Sequence, residues 1–75
     1  MMNIGMLWLD ADKSRPFEEK VQRAVEYYKE KYGRFPELCF VNNIMVQDEK
    51  KVGRVRVIPQ KTIMPNHFWL GMKNS

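Results

Sequence analysis

The chain has 75 residues, one Cys and one His, and 13 Lys plus Arg against 9 Asp plus Glu, a formal charge of +4. Hydrophobic residues make up 44% and charged residues 29%, the composition of an ordinary soluble globular domain. These values exclude a multidomain enzyme, a disulfide-stapled miniprotein and a collagen-like or disordered chain, and predict one domain over 1–75 with a frayed tail at 73–75.

Asn3 to Leu9 reads as a first strand, and Asp10-Ala11-Asp12-Lys13-Ser14 as a polar connector. A helix follows, starting near Ser14–Pro16 and ending near Tyr32. Ser14 suits its N-cap and Pro16 its first turn. Glu18 and Glu19 sit at the positive end of the helix dipole, Lys29 and Lys31 at the negative end. Gly33 supplies a left-handed C-cap and Pro36 keeps the helix from resuming. Phe17, Val21, Ala24, Tyr28 and Tyr32 recur at helical spacing as one apolar stripe, widened by Val25, with Tyr27 beside it. Lys20, Arg23, Glu26 and Glu30 fall on the water side, and Glu19 can pair with Arg23 one turn on.

Glu37 to Val41 reads as the next strand, Asn42-Asn43 as a turn or bulge, and Ile44 to Gln47 as a short continuation strand. Asp48-Glu49-Lys50-Lys51 then forms a charged turn and Val52 to Ile58 a returning strand. Pro59 to Asn66 is a loop with two prolines, and His67 to Met72 a last strand. The order β-α-β-β-β predicts an α/β (α+β) domain with one helix packed on a small mixed sheet, the strand–helix–strand unit bringing two parallel strands.

One helix covers one face of a sheet, so the other face should be polar. Three strands lack that alternation. Leu7 and Leu9 oppose Ile4, Met6 and Trp8; Leu38 and Phe40 oppose Cys39 and Val41; Trp69 opposes Phe68 and Leu70. Either the Pro59–Asn66 loop, with Ile63 and Met64, folds over part of the second face, or another chain covers it. A protein interface using Trp8, Met6, Trp69 and Phe68 follows from the second reading, with a homodimer or another protein as partner. Small domains also lean on self-association when disulfides and metals are missing. Cys39 has no Cys to pair with, and one Cys with one His cannot supply the four N or S ligands of a structural metal.

The positive charge is uneven. Residues 1–43 hold seven basic and seven acidic side chains, whereas 44–75 hold six basic against two acidic. Lys50, Lys51, Arg54, Arg56 and Lys61 form the basic cluster, with Arg54 and Arg56 expected on one strand face. It could track a nucleic-acid backbone, or it could guard a sheet edge against pairing.

Catalysis has less support. Asp10 and Asp12 follow a strand where α/β sheets bind ligands, and two carboxylates could hold a divalent cation; a solvated connector is the plainer reading. His67 has no nucleophile or orienting carboxylate at a legible spacing. No glycine-rich phosphate loop is present. The expectation is a non-enzymatic module without cofactor or metal. Cys39, in an apolar run, reads as a small buried hydrophobe, which suits a reducing compartment. The start of the chain lacks a basic segment and reaches Asp10 too early for a signal peptide. The longest apolar stretch, Ile4 to Leu9, falls far below the roughly 20 residues that span a bilayer. The cytoplasm, with no membrane partner, is the expected setting.

Three strings, Leu7-Trp8-Leu9-Asp10, Tyr27-Tyr28-x-x-Lys31-Tyr32-Gly33-x-x-Pro36-x-x-Cys39-x-Val41 and Ile63-x-Pro65-Asn66-His67-Phe68-Trp69-x-Gly71, together resemble a family of very short uncharacterised bacterial proteins. The resemblance spans nearly the whole chain. It implies a stand-alone bacterial domain of unknown function and brings no catalytic or binding residue with it.

Overall fold

The computed structural model describes residues 5–73. In chain order it runs β1 (Gly5–Leu9), α1 (Phe17–Tyr32), β2 (Leu38–Val41), β3 (Lys50–Val52), β4 (Val55–Pro59) and β5 (His67–Gly71). Residues 3–4 of the expected first strand and 74–75 of the expected tail lie outside the described residues.

The helix forms where its signals place it, with two local differences. Its N-cap is Pro16, which offers no side-chain cap, while the Ser14 hydroxyl donates to Asp12 Oδ1 at 2.7 Å instead. Glu19 pairs back with Arg15, at 3.3 Å from Nε. At the other end Gly33 adopts φ 79° and its N–H donates to the Lys29 carbonyl at 2.7 Å; a residue with a Cβ resists that left-handed geometry. Val21, Ala24 and Tyr28 are buried and Phe17, Val25 and Tyr32 pack around them. Lys20, expected in water, is 8% exposed. It lies one turn from Phe17 and from Ala24, so its methylene stem shares their apolar side, while its ammonium stays within electrostatic range of Asp12.

The sheet is five-stranded and mixed, in the order β1-β5-β2-β4-β3. β5 is antiparallel to both β1 and β2. The two strands that flank α1 therefore run in the same sense, but β5 is inserted between them. β2 and β4 pair in parallel, and β3 adds to β4 as an antiparallel hairpin.

That hairpin corrects the reading of 44–58. Ile44–Gln47 is not a strand: the Ile44 N–H donates to Asn42 Oδ1 at 2.8 Å and the Met45 N–H to the Asn42 carbonyl at 3.0 Å. These bonds turn the chain as Asn side chains commonly do. Lys50 and Lys51, expected in a turn, lie in β3. The reversal falls at Gly53-Arg54, where Val52 pairs with Val55 and Gly53 has φ 62°. A glycine at the first central position of a two-residue loop matches the twist of the flanking strands.

The core lies between α1 and one sheet face. Val21, Ala24 and Tyr28 meet Cys39, Val41, Val52, Val55, Val57, Phe68 and Leu70. Burial pushes the Cys39 thiol up to about 12, which keeps it protonated and unreactive.

Candidate functional site

On the sheet face away from the helix, side-chain alternation and register align the strands into rows. One row runs Leu7–Trp69–Phe40–Ile58 across β1, β5, β2 and β4. The next runs Gly5–Gly71–Leu38–Arg56–Lys51 and ends on β3. The face thus changes from apolar at the β1 edge to cationic at the β3 edge.

Trp69 is the centre of the apolar part. Its ring lies across Gly5: a Cβ added there would stand 2.1 Å from Trp69 Cζ2. Phe40 flanks it at 5.5 Å between ring centroids, tilted by 35°. A glycine on β1 is what lets the indole lie flat on the sheet.

The 60–66 segment lies against the Phe40 and Trp69 part of this face and leaves its β1 side open. Asn42, itself buried, donates from Nδ2 to the Ile63 carbonyl at 2.7 Å and pins the segment to the end of β2. Thr62, Ile63 and Met64 then wall a groove of about 330 Å³ with Leu7, His67 and Trp69. Leu7, Leu9 and Met64 nevertheless remain 61%, 60% and 67% exposed. The segment closes on itself through Asn66, whose φ of 66° is left-handed, a conformation that Asn tolerates better than most residues.

The four expected interface residues divide between the two faces. Trp69 lies on the open face. Phe68 is fully buried under α1, 6.0 Å from Phe17. Met6 and Trp8 also lie on the helix side, where Trp8 stacks on Tyr27 at 4.3 Å. The residues that join Trp69 on the open face are Leu7, Leu9, Leu38, Phe40 and Ile58. Period-2 alternation assigns them all to one set, but it does not say which set the helix takes.

The basic cluster disperses. Lys50 lies on the helix side and its Nζ donates to Glu18 Oε2 at 2.7 Å. Lys51 and Arg56 share the open face, where Arg56 donates from Nε and Nη2 to Glu49 Oε2. Arg54 is in the hairpin turn, not on the strand face of Arg56, and its guanidinium stands 4.8 Å from the centre of the Phe35 ring. Lys61 is on the exposed loop.

Asp10 and Asp12 form a clamp at the β1–α1 junction. Arg15 Nη1 lies 3.2 and 3.1 Å from the two oxygens of buried Asp10, and 3.4 Å from Asp12 Oδ2. The Asp12 N–H donates to Asp10 Oδ1 at 3.1 Å. The Ser14 hydroxyl, then the Ser14 N–H, hold the Asp12 carboxyl below its ordinary value. These carboxylates serve the turn. His67 Nδ1 faces the Pro65 carbonyl at 2.9 Å beside the groove. Among the described residues no group of three or more His, Cys, Asp or Glu is placed to hold a metal ion, and no helix is long and apolar enough to cross a membrane.

Set against protein-family models, curated proteins and solved structures, the chain matches none. The functional reading therefore rests on the geometry of the open face.

Proposed function

We propose that this chain is a non-enzymatic protein-interaction module of the bacterial cytoplasm, with the Leu7–Trp69–Phe40–Ile58 face as its contact surface. The observation that carries the reading is an apolar row across four strands that the helix does not cover and the 60–66 segment only borders, leaving Leu7 and Leu9 exposed. Fully burying a leucine side chain is worth about 1.5–3 kcal/mol relative to leaving it exposed, and Leu7 and Leu9 forgo most of that in the isolated chain. Contiguous apolar patches of this kind mark interaction sites, and an aromatic centre such as Trp69 and Phe40 suits one.

Light scattering across a concentration range, with binding of an apolar fluorescent dye, tests the reading in the protein and in Phe40→Asp. Expected are association or dye binding by the protein and loss of the dye binding in the variant. A protein that stays monomeric and binds no dye overturns it. Nucleic-acid binding is the weaker reading, because the five cations point in different directions and Lys50 and Arg56 are already paired. A titration that shows salt-sensitive binding, lost in Arg54→Glu plus Arg56→Glu, would reverse that ranking.

A further inference from the structure

We propose that this chain associates with a second copy of itself, edge to edge along β1 about a two-fold axis; the inference rests on the interaction reading above and places a self-association seam at the β1 margin of the open face.

The hydrogen-bond phase of the sheet says which backbone groups of β1 are free. The Asp10 N–H donates to the Asn66 carbonyl at 2.9 Å, so residues 10, 8 and 6 exchange bonds with 66, 68 and 70 in the register observed. The peptide groups of Gly5, Leu7 and Leu9 therefore point away from β5, toward the outer edge. Tyr32 reaches one of them, its hydroxyl donating to the Gly5 carbonyl at 3.2 Å. Among the described residues, no strand pairs with that edge. Leu7 and Leu9 thus present free backbone groups on the edge and exposed side chains on the face.

The two edges of the sheet differ in how they meet this hazard. β3 is three residues long, carries Lys50 and Lys51, and adjoins Arg54 and Arg56. Charge and shortness are the usual guards of an edge strand. β1 is the uncharged run Gly5-Met6-Leu7-Trp8-Leu9, with no Lys, Pro or bulge.

Charge selects the same edge for self-association. The whole excess of +4 lies in residues 44–75, while 1–43 are neutral. Two copies joined along β1 hold their cationic β3 edges at opposite ends of a doubled sheet. Joined along β3 they would set like charges side by side, which opposes pairing.

The register also follows. With the Gly5 carbonyl engaged by Tyr32, the antiparallel arrangement that uses the remaining free groups is centred on Trp8. Leu7 then exchanges both backbone bonds with the partner's Leu9, and Leu9 with the partner's Leu7. On the open face each leucine gains a leucine neighbour across the seam, at the roughly 4.5–5.5 Å between Cβ atoms of directly opposed residues. The interface is isologous and closes at two copies.

Amide hydrogen exchange resolved by residue, on the full chain at high and low concentration, tests this directly. A dimer in which the Leu7 and Leu9 amides exchange slowly, with that protection lost on dilution, is the expected result, because among the described residues neither amide has an acceptor. A dimer in which both amides exchange freely overturns the edge seam and leaves the interaction reading standing as face-to-face contact. A monomer at every concentration also overturns the seam. A second variant separates fold from interface: Leu9→Pro removes an outward N–H and no bond to β5, so a native circular dichroism spectrum with loss of the dimer is expected. A folded Leu9→Pro chain that still dimerises with wild-type affinity overturns the proposal. Should that variant not fold, the exchange experiment on the unmodified chain decides alone.

Discussion

On the helix side of the sheet, Val41, Val57, Phe68 and Leu70 are sealed beneath Val21, Ala24 and Tyr28. On the other side Leu7, Leu9, Phe40 and Trp69, residues just as apolar, stand partly or largely open. The strands contribute to both faces alternately from the same short segments. Hydropathy therefore does not distinguish a covered face from an uncovered one in this chain; the supply of covering elements does. Among the described residues there is one helix, of 16 residues, and a helix about 10 Å wide cannot seal both sides of a five-stranded sheet. The second face is left partly to a tethered loop and, at its β1 margin, to the seam with a second copy proposed above.

The contrast is sharpest in stability. Phe68→Ala should cost about 3–5 kcal/mol, the range for emptying a buried aromatic site and most of what a core of this size supplies. Leu9→Ser in dilute solution should change stability by no more than about 0.5 kcal/mol, as for other surface substitutions. Urea denaturation of both variants checks the pair. Equal losses would mean the open face is as structural as the covered one.

A second substitution asks how far the open face is itself packed. Gly5→Ala places a Cβ where the Trp69 ring lies, so the indole must leave its seat. The expected cost is about 1–3 kcal/mol, as for other overpacked sites. Adding Trp69→Ala should remove most of that cost, so the double variant gives a coupling measurement. Additive losses would show that Gly5 matters for its backbone rather than for the indole.

The smallest expected effect comes from surface charge around the N-terminal end of α1. The carboxyls of Asp12, held by Ser14, and Glu18, held by Lys50, both titrate below their ordinary values. A carboxyl lowered by folding adds stability above its unfolded pKa and loses it as pH falls through the lowered one. Thermal melts should thus fall as the solution is acidified through and below the ordinary carboxylate range. Asp12→Asn should flatten part of that dependence by lowering the melt near neutral pH while leaving it little changed in acid. Both groups are exposed, so the effect is modest and weakens with salt.

The fold was legible wherever local chemistry was unambiguous. The helix has a stripe, charged ends and a Gly33 stop, and it forms over Phe17–Tyr32. β2 and β5 are apolar runs bounded by turn residues. The hairpin was misplaced because Lys50 and Lys51 look like turn chemistry, while the true signal is Gly53 between Val52 and Arg54, one glycine in a charged context. The strand order lay beyond pattern reading altogether, since β5 enters between β1 and β2 from the far end of the chain.

The open face was half legible. Two-sided apolar strands announced that something beyond one helix is needed, and Trp69 belongs to the resulting surface. The division of Met6, Trp8 and Phe68 to the other side depends on which parity the helix stripe selects. That choice rests on packing volumes and register across strands distant in sequence, not on any local preference. The Asp10–Arg15 clamp was likewise hidden, because a carboxylate pair after a strand reads the same whether it meets an arginine or a cation.

By itself the sequence determined the helix and its Gly33 stop, the existence of a mixed sheet, the buried state of Cys39, and an apolar surplus that a single helix could not absorb. Those follow from spacing and capping within a few residues. Only the tertiary structure decided that β5 lies between β1 and β2, that Leu7, Leu9, Phe40 and Trp69 share the face away from the helix, and that Lys50, Lys51, Arg54 and Arg56 lie at or beside the opposite edge. Strand order, facing parity and edge position depend on contacts between residues tens of positions apart, and no local pattern encodes which of two equally apolar sides α1 will cover.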